Sequence, residues 1–205
     1  MAVRAIVLGA GKGTRMDTEA AKVLHPVAGR PMLSWVLDAV AETDSAETVV
    51  VVGYQADSVV EMLPPGIGSA YQANQLGTGH AAMVGLEELH VDSGDDVIVI
   101  SGDMPLVKGS TLNAMLALHR TSGAAATLMT VELKEPRAYG RIIRDGGSVV
   151  AIVEVKDATP QELLVPEVNA SVYVFSAAQL PGALERIGTA NVQGEYYLTD
   201  IVGIL

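Results

Sequence analysis

Apolar residues in this chain fall into short β-branched runs separated by longer stretches of helical spacing. AVRAIVL, ETVVVVG, GSAYQ, DDVIVIS and AAATLMTV predict five strands of a mostly buried sheet. Between them, PMLSWVLDAVAE, QADSVVEML, TGHAAMVGLEEL and TLNAMLALHRT repeat apolar residues every three or four positions, which predicts helices. Strands that alternate with helices predict an α/β protein with a doubly wound, mostly parallel sheet. After Val131 the pattern changes. YGRIIRD and SVVAIVE flank a Gly-Gly turn and predict a β-hairpin laid against the main sheet. NASVYVF reads as a further strand, and SAAQLPGALERI and EYYLTDIVGIL read as helical. With no repeat and no dividing linker, one domain is expected over residues 1–205.

A chain of 205 residues buries on the order of 70% of its unfolded surface, enough for a core without disulfide staples. No apolar run approaches the roughly 18 residues that would suggest a membrane span. The opening MAVRAIVLGAGKG runs into glycines rather than a small-residue cleavage site, so a first buried strand accounts for it better than a signal peptide. The absence of cysteine excludes disulfides and thiol chemistry, and a cytoplasmic location is expected. The net charge of −11 argues against a nucleic-acid partner. It is unevenly spread. Residues 1–30 carry Arg4, Lys12, Arg15, Lys22 and Arg30 against Asp17 and Glu19, a local +3, so the remainder carries −14. A basic island on an acidic body suits a small bound polyanion.

The island surrounds LGAGKGTRM, with glycines at 9, 11 and 13 directly after the first strand. Thr14 stands where a dinucleotide fingerprint needs its third glycine, and the Gly-Lys-Ser/Thr of a P-loop is missing. The loop still offers backbone N–H groups that can approach a polyphosphate unhindered. Arg15 adds a fork of donors, and Lys22 follows within reach in KVLHPVAGRPML. A plain glycine turn with solvated charges would show the same residues.

LGAGKGTRM followed by KVLHPVAGR resembles the opening of the sugar nucleotidyltransferase family, and within it the uridyltransferase domain of bifunctional uridyltransferase/acetyltransferases. QLGTGHA (75–81), GDMPL (102–106), YGRI (139–142), VEVKDAT (153–159) and GEYYLTDI (194–201) are similar to later blocks of that family, in its order and spacing. The resemblance implies a Rossmann-like fold, a nucleotide-binding part over about 1–131 and a sugar-binding part over about 132–205. It implies a reaction in which UTP and N-acetylglucosamine 1-phosphate give pyrophosphate and UDP-N-acetylglucosamine, a peptidoglycan precursor, with Mg²⁺ as cofactor.

By the same resemblance the backbone of Leu8, Gly9, Ala10 and Gly11, with Gln72, Gly77 and Thr78, takes the uridine end. Gln72 would pair with the uracil edge, since mispairing strands buried polar groups. Gly77 also reads as a helix cap and Thr78 as its first helical residue. In SGDMPL, the family's nucleotide-binding stretch, Ser101 and Gly102 lead to Asp103, which follows a strand's carboxyl end, where ligands gather in such sheets. Asp103 suits Mg²⁺, although an acid after glycine is also an ordinary turn residue. Arg15, Lys22 and Asp103 are the implied catalytic group, acting by positioning and charge neutralisation with no general base. Gly140, Glu154 and Asn169 are implied at the sugar, and each also reads as a bulge, strand-end or turn residue. Asp17, Asp95 and Asp96 read as solvated. The four histidines lack metal-ligand spacing, and His80 reads as structural or exposed.

Three departures from the family pattern stand out. Gly9 replaces its usual Ala. Ser171 replaces the Gly of N-x-G and could crowd the sugar pocket. The pattern also continues past Leu205 to a strand bearing an Asn ligand and to the hexapeptide repeats of the acetyltransferase half, so impaired turnover is expected of residues 1–205 alone. Rival readings are a non-catalytic sugar-nucleotide-binding module, a transferase for another base or sugar, and a dinucleotide-dependent dehydrogenase, which Thr14 disfavours.

Overall fold

In the structure, a computed structural model that describes residues 1–13 and 20–205, β1 (Val3–Leu8) runs through the middle of an eight-stranded sheet. It pairs in parallel with β4 (Glu47–Val52) and β6 (Asp96–Ser101), and β5 (Gly68–Tyr71) extends the sheet beyond β4. A small hairpin of β2 (Pro26–Val27) and β3 (Arg30–Pro31) lies apart from it. The helices α1 (Met32–Ala41), α2 (Ala56–Glu61), α3 (Thr78–Glu87) and α4 (Gly109–Ser122) follow the strands in the predicted alternation. Consecutive residues of β1 explain why its run is apolar but for Arg4. Ile6 packs with Ala81 and Ala82 of α3, and Val7 packs with Leu33 of α1 and Leu112 of α4. Both faces of the sheet are covered, so period-two alternation has no polar side to report.

Beyond β6 the chain adds β7 (Ala126–Glu132), β8 (Arg141–Asp145), β9 (Ser148–Val153) and β10 (Glu167–Ser176), then α5 (Leu180–Leu184) and α6 (Ile201–Ile204). β10 is antiparallel to β6 over 172–176 and to β8 at Val168, and β7 pairs antiparallel with β10 between Glu167 and Phe175. Six of the eight strands therefore point one way, with β9 and β10 reversed. Reversal positions the site. Ser176 pairs with Asp96 at the start of β6 and Val172 with Ile100 near its end, so Asn169 reaches past the carboxyl end of β6. Among the described residues no helix is long and apolar enough to cross a membrane.

Three sequence expectations change. Asp95 and Asp96 are buried rather than solvated. Asp95 accepts from the Ala2 amide at 2.7 Å and from Arg4, while Asp96 accepts from Arg120 Nε at 2.6 Å. A buried carboxylate needs such partners, and these sit far off in sequence. The expected terminal helix of EYYLTDIVGIL begins only with a 3-10 turn at Leu198, because Tyr196 uses its N–H and C=O on Leu76 and Gly79. In SAAQLPGALERI the helix is confined to Leu180–Leu184.

β8 is pinned to β10 by a two-pronged ion pair, Arg144 Nε and Nη2 each donating at 2.7 Å to Glu167. The bond from Arg144 is the main reason that the Glu167 carboxyl lies at about 2, below its ordinary 4.5. A depressed folded-state value adds stability above about pH 4.5, and that stability is lost as pH falls toward about 2. Arg144 is partly exposed, so screening limits the pair to about 1 kcal/mol. Glu167→Gln should therefore lower urea-unfolding stability by about 1 kcal/mol at pH 7, with the gap closing as pH drops through that window. A gap independent of pH would assign the loss to packing.

Candidate active site

The carboxyl ends of β1 and β6 meet through their following residues. Gly9 N–H donates to Val51 C=O and Gly102 N–H to Leu8 C=O, both at 2.8 Å. The loop Gly9–Gly13 then folds over Lys22, which opens the 3-10 turn Lys22–Leu24. Gly13 has φ +67°, and a Cβ there would lie 2.7 Å from Lys22 Cβ. Only a residue without a side chain lets the loop lie this close on the lysine stem.

Lys22 Nζ forms an ion pair with Asp103 Oδ2, and Ser101 Oγ donates to Asp103 Oδ1 at 2.6 Å. Burial pushes the Asp103 carboxyl up, but the bonds from Lys22 and Ser101, with the lysine charge, outweigh it and hold the group below the ordinary carboxylate range. Asp103 is thus an anion at neutral pH, fixed beside a cation at a strand's carboxyl end.

A second wall comes from the chain after β5 and the start of α3. The buried Gln72 donates through Nε2 to Gly77 C=O at 3.2 Å, and the same nitrogen lies 2.9 Å from His80 Nδ1. Gly77 is the N-cap of α3 with φ 112° and ψ 177°, where a Cβ would strike Tyr196 C=O at 2.5 Å. The segment after Gly194 closes on this helix end. Gly79 N–H donates to Tyr196 C=O at 2.7 Å, and Leu198 N–H to Thr78 Oγ1 at 3.0 Å.

The opposite wall comes from β9 and β10. Asn169 Nδ2 donates to the Tyr173 hydroxyl at 2.6 Å, and Asn169 Oδ1 accepts from Ser171 N–H at 3.1 Å. Ser171 sits at φ 56° where the β10 register shifts, the left-handed conformation that favours glycine. Thr199 Oγ1 donates to Glu154 Oε1 at 3.2 Å. Burial raises the Glu154 carboxyl; the Thr199 hydroxyl opposes the rise, and the charges of Asp157 and Asp200 add to it. Gly140 lies behind this wall, its C=O accepting from Asn169 N–H at 2.9 Å. The buried guanidinium of Arg141 donates to the carbonyls of Tyr139, Arg137 and Leu163, holding the turn that carries Gly140.

These walls enclose a cavity of about 570 Å³. Of the residues singled out in the sequence, Leu8, Gly9, Ala10, Gly11, Lys22, Gln72, Gly77, Thr78, Ser101, Asp103, Glu154 and Asn169 line it. Gly102 and Gly140 support it from behind, and Arg15 lies outside the described residues. Ser171, expected from the sequence to crowd the sugar pocket, does line the cavity, whereas sequence reasoning passed over Lys12, Gln75, Tyr173, Glu195 and Thr199 as lining residues. Tyr173 was within reach, since positions 169, 171 and 173 alternate along one strand. His80 carried no local signal, because only its contact with Gln72 gives it a part. For a hard cation the cavity offers the carboxylate of Asp103; among the described residues no group of three or more His, Cys, Asp or Glu gathers. A cation with one such ligand completes its shell from phosphate and water oxygens.

The family described as the MobA-like NTP transferase domain matches residues 5–180. The bifunctional protein GlmU of Pelotomaculum thermopropionicum (strain DSM 13744 / JCM 10971 / SI) is 50% identical over 205 residues, which are 100% of this chain and 45% of that protein. GlmU of Lactococcus lactis subsp. lactis (strain IL1403) is 48% identical over 98% of this chain and 44% of its own length. The chain thus spans less than half the length of these curated relatives. A UDP-glucose pyrophosphorylase solved with UDP-glucose superposes with a TM-score of 0.82 at 16% identity, over 100% of this chain and 86% of that one. At that identity the likeness speaks to fold.

Proposed function

The chain belongs to the family of MobA-like NTP transferase domains, and from that premise we propose that it joins UTP to N-acetylglucosamine 1-phosphate, giving UDP-N-acetylglucosamine and pyrophosphate. The observation that carries this reading is one cavity that places the glycine loop and the Lys22–Asp103 pair between the Gln72 wall and the Glu154–Asn169 wall. A nucleoside triphosphate laid along the glycine loop has its base toward Gln72 and its phosphates at Lys22. The sugar then lies toward Glu154 and Asn169. On this reading residues 1–131 serve the nucleotide and 132–205 the sugar, in a cytoplasmic setting where UTP is available.

The reaction forms a bond from the sugar phosphate oxygen to the α-phosphorus of UTP. It breaks the bond from that phosphorus to the β-bridging oxygen, whose electron pair leaves with pyrophosphate. A phosphate oxygen is already nucleophilic at neutral pH, so the protein supplies position and charge. Mg²⁺ held by Asp103 would supply a further counter-charge to the phosphates. Lys22, in turn, offsets negative charge on the triphosphate, and Ser101 keeps the Asp103 carboxylate oriented. Glu154 and Asn169 provide acceptors and donors for sugar hydroxyls.

The test is pyrophosphate release with four nucleoside triphosphates against a set of sugar 1-phosphates at fixed Mg²⁺. UTP with N-acetylglucosamine 1-phosphate should give the highest kcat/KM. A better pair would reassign the base or the sugar, and tight UDP-N-acetylglucosamine binding without any pyrophosphate would make the protein a binding module.

A further inference from the structure

We propose that His80 is a positioning residue for base selection: its neutral ring holds the Gln72 amide so that the pocket accepts a ring N–H and rejects a ring nitrogen lone pair. The proposal rests on the reading of the cavity as a uridine nucleotide site. Gln72 Nε2 approaches both Gly77 C=O and His80 Nδ1. An amide nitrogen carries two N–H donors and accepts nothing. A backbone carbonyl only accepts, so the nitrogen, and not Oε1, must face Gly77. The second N–H then needs an acceptor in His80 Nδ1, which places the ring proton of a neutral imidazole on Nε2.

With both N–H groups committed to the protein, Oε1 is what Gln72 can offer a ligand in the cavity it lines. A carbonyl oxygen selects for a ring N–H. Uracil presents one at N3 between two carbonyls, whereas cytosine presents a lone pair at the same place. Facing Oε1, that lone pair would leave two acceptors opposed and a desolvated group unpaired. Gly77 pins one amide N–H and His80 the other. Removing the imidazole leaves the amide free to twist or to turn its nitrogen toward the base.

Calorimetric affinities for UTP and CTP, measured in the presence of Mg²⁺, test this on the whole chain. In His80→Ala the UTP-over-CTP preference should fall about tenfold, the scale of one lost hydrogen bond, with N-acetylglucosamine 1-phosphate affinity unchanged. His80→Asn, whose Oδ1 can stand where Nδ1 stood, should keep the wild-type preference. An equal loss for both nucleotides in His80→Ala, or an unaltered ratio, overturns the proposal. So does a wild-type His80 whose side-chain ¹⁵N shifts report the proton on Nδ1, a readout that needs no variant. Pyrophosphate release separates the two levels: a chain that binds UTP over CTP through His80 but releases none with any sugar 1-phosphate refutes the transferase reading and leaves this one standing.

Discussion

Lys22→Ala should lower kcat at saturating UTP and sugar phosphate by about 10²–10³-fold, the scale seen when one preorganised charge-stabilising group is removed. Lys22 is held in place twice, by the ion pair with Asp103 and by the Gly13 backbone lying across its stem. A cation fixed in advance needs no reorganisation when charge shifts onto the departing pyrophosphate, which is why its effect falls on turnover. Lys22→Met separates charge from packing, because the stem under Gly13 remains while the ammonium goes. The same loss of kcat is expected from it. If KM rises while kcat holds in both variants, Lys22 binds the triphosphate in ground state and transition state alike. The pair must then be reassigned from catalysis to binding.

Gly77→Ala should destabilise the protein by about 2–4 kcal/mol and abolish tight UTP binding, since two independent costs meet at that residue. Its φ of 112° and ψ of 177° fall in a region that residues with a side chain scarcely enter. A methyl would also stand 2.5 Å from Tyr196 C=O and 2.9 Å from Tyr196 N, both backbone atoms that cannot rotate away. Relief requires the 194–197 segment to leave the end of α3, which breaks the Gly79-to-Tyr196 and Tyr196-to-Leu76 hydrogen bonds. Against a total stability of about 5–15 kcal/mol, such a loss is readily visible in urea unfolding. Gly94→Ala is the control, because nothing lies within 4 Å of a Cβ there and its φ is ordinary. A Gly77→Ala protein as stable as that control would mean that the segment yields without cost and that the end of α3 is not held by the 194–197 segment.

Much of this protein was legible along the chain because its signals are local. Apolar runs rich in β-branched residues marked β1, β4 and β6, since strands covered on both faces need apolar residues on both sides. The glycine loop and Lys22 are near neighbours in sequence, so the basic island marked that part of the cavity. The DDVIVIS run placed Asp103 at a strand's carboxyl end by counting alone. Contacts between distant segments decided the rest. Asp95 and Asp96 look solvated until Arg4 and Arg120, 91 and 24 positions away, are folded against them. EYY has helical spacing, yet Tyr196 is kept out of a helix by bonds to residues more than a hundred positions earlier. His80 became meaningful only beside Gln72, and Asn169 entered the site only because β10 runs antiparallel and overhangs β6. Periodicity reports which side of an element is apolar. It cannot report which polar groups lose water together, because desolvation and hydrogen-bond partnership are properties of the packed pair, settled when the strands take their order in the sheet.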